Sequence, residues 1–165
     1  MYNLIPEVLD VDALHEITER IHRGDPLYRG EGATLARLYL MFGEVELGDP
    51  ENKYLYIGDT PFWAREVAHH FLQLVYEVYP EMIESIRVQL EPEWRPDMII
   101  LPNKQSYRFY SIDNILVGGG ANLYGYSFDK IFFDVSPAKQ EALESRSADL
   151  TNVLQYLFST GVEIV

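Results

Sequence analysis

The sequence predicts an α/β protein with a mainly parallel sheet flanked by helices and an inserted β-hairpin. Three observations carry that expectation. The apolar runs YLYIG (54–58) and KIFFDV (130–135) are rich in strand formers, and each leads through turn residues into a helix-forming stretch. Both runs carry an aspartate at their carboxyl end, Asp59 and Asp134, where α/β sheets gather their ligands. MIIL (98–101) and YRFYSI (107–112), separated by Pro102-Asn103-Lys104-Gln105, read instead as a hairpin.

The elements follow in order. Asp10 or Asp12 caps a first helix over about 12–22, with Leu14, Ile17 and Ile21 on one face and Gly24-Asp25-Pro26 as its stop. After a glycine loop, a helix over about 33–46 carries Leu35, Leu38, Met41, Phe42 and Val45, and the turn from Gly48 to Asn52 ends it. Thr60 and Pro61 form an N-terminal signature for a helix over about 61–79, whose buried face is expected to hold Val67, Phe71, Leu74, Val75 and Val78. Pro80 ends it or opens a short continuation over 81–85, and IRVQL (86–90) reads as a strand. ILV (115–117) is an apolar run into Gly118-Gly119-Gly120. A helical stretch from about 137, broken near 146–149, leads to a last strand at VEIV (162–165). The chain reads as a single domain over 1–165, an N-terminal helical segment over 1–23 preceding a core over 24–165.

Composition narrows the function. With 165 residues, 47% of them hydrophobic, the chain can build a core without metal or disulfide support. It has no cysteine, which excludes thiolate zinc sites and cysteine nucleophiles. The first residues, MYNLIPEVLDVD, have neither a basic start nor a sustained apolar stretch, and no run approaches a membrane span; a soluble, cytoplasmic protein is expected. A net charge of −13 disfavours direct binding to nucleic acid or an anionic membrane, both of which draw on Lys and Arg. The same imbalance suits a basic protein partner, or simply solubility.

The chemistry-bearing segment is RGEGAT (29–34), which opens directly onto the apolar helix LARLYL. Glycines permit close backbone approach, a helix N-terminus offers N–H groups, and a hydroxyl follows one turn in; together these can hold a phosphate. Its plainer reading is a surface turn before a helix. Asp134 can serve a magnesium ion, or can end a strand beside Ser136 and Pro137 at the next helix. Gly118-Gly119-Gly120 reads as a hinge or tight crossing more readily than as an anion nest. His69 and His70 are adjacent and cannot make an i, i+4 metal pair, and Glu66 would add only a second ligand to His70.

In the order of these pieces, residues 24 to 165 resemble the RecA-like P-loop ATPase core shared by helicases and phage large terminase subunits. RGEGAT with LARLYL takes the place of the Walker A loop and its helix. YLYIGDT looks like the second strand, and YGYSFDKIFFDV is similar to the stretch through Walker B, ending at Asp134. The resemblance implies ATP or ADP with magnesium as ligands, Gly30, Gly32 and Thr34 as phosphate contacts, and Asp134 as the metal-associated residue. Walker A, however, has glycine, four residues, then Gly-Lys-Thr; here Leu27 stands at the first glycine and Ala33 at the lysine. The second carboxylate expected after Walker B is Val135. The lysine neutralises the transferred phosphate and the carboxylate positions water, so their loss implies a catalytically degenerate domain with no catalytic residue of its own. Such a domain would act as a nucleotide-binding or assembly component of a nucleic-acid-processing system, of phage type. A working ATPase with its cation supplied by Arg29, Arg37 or a neighbouring subunit is the weakest alternative.

A second class of function rests on charge. Glu44, Glu46, Asp49 and Glu51 form one acidic stretch, and Glu77, Glu81, Glu84, Glu91, Glu93 and Asp97 another, with Trp94 and tyrosines between. Displayed on one face, they would mimic a nucleic-acid backbone and block a basic, nucleic-acid-binding protein, with no enzymatic activity.

Overall fold

The computed structural model describes residues 11–25, 32–89, 97–117, 123, 127–145, 148–159 and 163–165. Among these, helix α1 spans Val11–Arg23, α2 Ala33–Leu47, strand β1 Lys53–Gly58 and α3 Pro61–Val78. A 3-10 turn at Pro80–Ser85 leads to β2 Arg87–Gln89, β3 Asp97–Ile100 and β4 Ser106–Ser111. Then come α4 Ile112–Val117, β5 Lys130–Asp134, α5 Pro137–Glu144, α6 Ala148–Ser159 and β6 Glu163–Ile164.

The strands form one six-stranded sheet in the order β2-β3-β4-β1-β5-β6. β4, β1, β5 and β6 are parallel, with Tyr56 opposite both Phe109 and Phe132, and Gly58 opposite both Ser111 and Asp134. The expected hairpin is antiparallel β3–β4, extended by antiparallel β2. The architecture is therefore the α/β arrangement anticipated, with the hairpin on one side of a parallel core.

Strand periodicity sorts the core into two layers. Tyr54, Tyr56, Tyr107, Phe109 and Phe132 face α2 and α3, with Leu38, Met41, Val67, Phe71 and Val75 filling the space between. Leu55, Ile57, Tyr110 and Ile131 face the other way, against Ile112 and Ile115 of α4 and Leu154 and Leu157 of α6. α3 begins as its sequence indicates, the Thr60 side chain accepting from the Trp63 N–H with Pro61 in the first turn.

The apolar residues 115–117 belong to a helix that starts at Ile112, directly after β4, where the Ser111 hydroxyl accepts the Asn114 N–H. One local expectation, Val78 on the buried face of α3, is corrected. Val78 lies 54% exposed at the last residue of α3, where the helix ends. Asp10, Leu27, Arg29, Gly30, Trp94 and the glycines 118–120 lie outside the described residues.

Candidate functional site

The carboxyl end of the parallel strands brings Thr34 and Asp134 together. Asp134 ends β5 with its side chain on the same face as Phe132, toward α2, and Thr34 sits in the first turn of α2. The Thr34 hydroxyl donates to Asp134 Oδ2 at 2.6 Å. Two residues separated by 100 positions thus share one hydrogen bond at the rim.

Other side chains complete the cluster. Tyr56 donates its hydroxyl to the same Oδ2 at 2.6 Å, and Arg37 Nη1 reaches Oδ1 at 3.2 Å. Arg37 Nε also donates to the Val165 main-chain oxygen at 3.2 Å, which holds the guanidinium from both sides. Trp63 Nε1 donates to the Thr34 hydroxyl at 3.3 Å. Gly58 makes room for this arrangement. It stands opposite Asp134 in the sheet, and a Cβ on it would meet Tyr56 Cε1 at 2.9 Å and Tyr56 Oη at 3.1 Å. Without a side chain there, the Tyr56 phenol runs along the sheet to reach the carboxylate.

The Asp134 side chain is 7% exposed and that of Arg37 14%. Burial pushes the Asp134 carboxyl above its ordinary range, opposed by the Arg37 charge and by the Thr34 and Tyr56 hydrogen bonds. Burial and then the Asp134 charge raise the Tyr56 phenol well above its usual value, so it remains a donor.

Gly32 adopts φ 84° and ψ 13°, the left-handed conformation, as the residue before α2. A Cβ there would also meet Ile17 Cδ1 at 3.0 Å, so local backbone and α1 packing account for this glycine without a ligand. Asp59 lies on the same rim, accepting the Ser136 N–H at 3.1 Å, while Lys139 Nζ donates to the Asp59 carbonyl at 2.6 Å. His70 is buried, its Nδ1 2.7 Å from the Glu66 carbonyl one turn back, and His69 is half-buried. The described residues contain no group of three His, Asp or Glu side chains able to hold a metal.

The donors around Asp134 do not fit magnesium as they stand. Mg²⁺ takes near-octahedral oxygen ligands. Here one carboxylate oxygen faces a guanidinium and the other accepts two hydroxyl protons. A cation at Asp134 has to displace Arg37.

Sequence reasoning placed Asp134 and Thr34 at one rim but missed Tyr56 and Trp63. It considered Arg37 only as a source of charge for phosphate. The i, i+3 spacing of Thr34 and Arg37 was the available signal, since it puts both on one helix face. Nothing in the sequence marks Trp63 as a partner of a residue 29 positions earlier.

No family model and no curated protein matches the sequence. Among solved structures, the chain is similar to the large terminase ATPase domain of Thermus phage P74-26. The TM-score is 0.53 at 16% identity, over 84% of this chain and 57% of that one. A mutant of the same domain gives 0.54 at 18% identity, over 90% and 63% respectively. The chain thus spans less than two thirds of those ATPase-domain chains. At such identities the likeness shows the fold alone, an α/β fold shared with those ATPase domains.

Proposed function

We propose that this protein is a catalytically degenerate RecA-like domain serving as a binding or assembly component of a phage-type nucleic-acid-processing system. The observation that carries the reading is the internal use of Asp134, whose carboxylate is taken up by Thr34, Tyr56 and Arg37. In an active P-loop enzyme the corresponding hydroxyl and aspartate serve the metal–nucleotide complex. Ala33 in the lysine position and Val135 in place of the second carboxylate point the same way. Any nucleotide taken up would meet Gly30, Gly32 and Thr34 through its phosphates, without the machinery to hydrolyse it.

Thermal unfolding with ATP or ADP, each with and without magnesium, tests the reading alongside an ATP hydrolysis assay. A nucleotide at a hundred times its dissociation constant adds about 2.7 kcal/mol, a shift of several degrees at this chain length. The expected result is no hydrolysis, and a gain of nucleotide affinity in Ala33→Lys. Turnover by the wild-type protein that Thr34→Ala abolishes would overturn the proposal.

A second reading, an acidic protein that docks on a basic, nucleic-acid-binding partner, has its own support. The Tyr79 hydroxyl is raised by burial first, then by the charge of Glu46 and a hydrogen bond to it, then by Glu81. Glu46 belongs to one acidic stretch and Glu81 to the other, so part of each flanks a single tyrosine. Binding of a polylysine peptide, weakened by Glu46→Lys with Glu81→Lys, is the expected outcome under this reading. Binding unchanged by the double reversal would count against it.

A further inference from the structure

We propose that Arg37 is a built-in counter-ion that takes the place of a divalent cation beside Asp134 and closes this rim to metal in the native chain. The inference rests on the geometry of the cluster alone and stands whether or not a nucleotide binds. Arg37 Nη1 lies 3.2 Å from Asp134 Oδ1, and its Nε is tied to the Val165 main-chain oxygen, so the guanidinium is anchored at two points, on β5 and on the residue that follows β6. Asp134 Oδ2 already accepts two hydrogen bonds, from the Thr34 and Tyr56 hydroxyls. The Thr34 oxygen, the neutral ligand beside Asp134 that a cation there could use, already accepts from Trp63 Nε1.

Charge completes the argument. The Arg37 guanidinium offsets the Asp134 carboxylate, and both side chains are withdrawn from solvent. Asp59 adds negative charge that reaches Asp134 from the same rim, but a divalent cation would still bring two positive charges up against a guanidinium already in contact with the carboxylate it needs. Arginine suits the post because its planar fork engages carboxylates and it stays protonated. Removing its charge while leaving Thr34 and Asp134 in place should open a cation site where the native chain has none.

The test uses Mn²⁺ alone as probe, with uptake followed by the paramagnetic resonance of the free ion and by thermal unfolding. Wild-type protein is expected to show no saturable uptake. Arg37→Gln, which keeps a hydrogen-bonding side chain without the charge, is expected to bind one Mn²⁺ saturably, at least about tenfold more tightly than any weak, unsaturated uptake by wild type, the scale of removing a nearby like charge. Adding Asp134→Asn to Arg37→Gln should abolish that uptake, and Arg37→Lys should resemble wild type. Saturable uptake by wild type that Asp134→Asn removes would overturn the inference, and so would a folded Arg37→Gln protein that binds no Mn²⁺. If Arg37→Gln does not fold, the wild-type titration and Arg37→Lys carry the decision: uptake by either overturns it, and its absence from both supports it.

Discussion

At the scale of single residues, the rim is governed by what happens when one charge of a buried pair is removed. Asp134→Asn would deprive the Arg37 guanidinium, 14% exposed, of its carboxylate partner, and Arg37→Met would deprive the buried Asp134 carboxylate of its cation. Breaking such a pair from one side typically costs about 3–5 kcal/mol, whereas replacing both partners with apolar groups of similar volume is often close to neutral. Urea unfolding of Asp134→Leu, Arg37→Met and the double variant is therefore expected to give a strongly non-additive cycle. The double variant should be more stable than Asp134→Leu alone. Additive losses would mean that the two side chains act independently, contrary to the 3.2 Å contact. Gly58 belongs to the same account. Its missing side chain lets Tyr56 reach Asp134, so a residue that reads as a plain strand end in YLYIG sets the geometry of the cluster.

At the scale of elements, the inner face of the sheet is a tyrosine layer rather than an aliphatic one. Tyr54 on β1 stacks on Tyr107 of β4 with ring centroids 4.8 Å apart, and Tyr107 meets Phe71 of α3 at 4.5 Å. Their hydroxyls are placed at the far end of the sheet from the rim. Tyr54 donates to Glu44 Oε2 at 3.0 Å, and Tyr107 donates to Gln105 Oε1 at 2.9 Å. Burial, aided by the Glu44 hydrogen bond and charge against an opposing hydrogen bond from Asn52, pushes the Tyr54 phenol from 10.0 up to about 12. Burial raises Tyr107 and Tyr56 still further. A phenol raised in the fold favours the protonated native state. Its contribution is complete below the unfolded value near pH 10 and is lost as pH rises through the folded value. Stability in urea is thus expected to fall from about pH 10 upward, with a shallower fall in Tyr54→Phe. A profile indifferent to that substitution would remove Tyr54 from the account. Most of this layer was legible in advance, because strand alternation and helix caps are local signals; β1, α3, the β3–β4 hairpin and the break between α5 and α6 follow from them. Gln105 was not. It sits in a polar turn, yet its Nε2 reaches the carbonyls of Glu44, Gly48 and Asp49 at the end of α2, a contact that depends on where the folded chain brings the hairpin.

At the scale of the molecule, the two ends of the sheet differ in electrostatic character. At the rim, two carboxylates are matched by cations, Asp134 by Arg37 and Asp113 by Lys139 at 3.2 Å, and the Asp59 carboxylate accepts the Ser136 N–H. At the opposite end Glu44 is matched by Lys130, but Glu46, Asp49, Glu51, Glu77, Glu81 and Glu84 are exposed. The sequence supplied the excess, 26 acidic against 13 basic residues, but could not say that α2 and α3 both finish at this end. That follows from their starts at the rim, Thr34 beside Asp134 and Thr60 just after β1. Unmatched charge at one pole destabilises the compact state by self-repulsion, and salt screens exposed charges over about 10 Å at 0.1 M but about 30 Å at 0.01 M. The exposed pairs, such as Arg23–Asp25 and Lys104–Glu51, are too weak to reverse the balance. Raising sodium chloride from low to moderate concentration is therefore expected to increase the urea midpoint. Glu46→Lys with Glu81→Lys should raise stability at low salt and flatten the dependence, because it removes repulsion where the two acidic stretches meet at Tyr79. Equal salt slopes in the two proteins would show that the repulsion is spread over the whole surface, and the acidic pole would lose its standing as a distinct feature of the molecule.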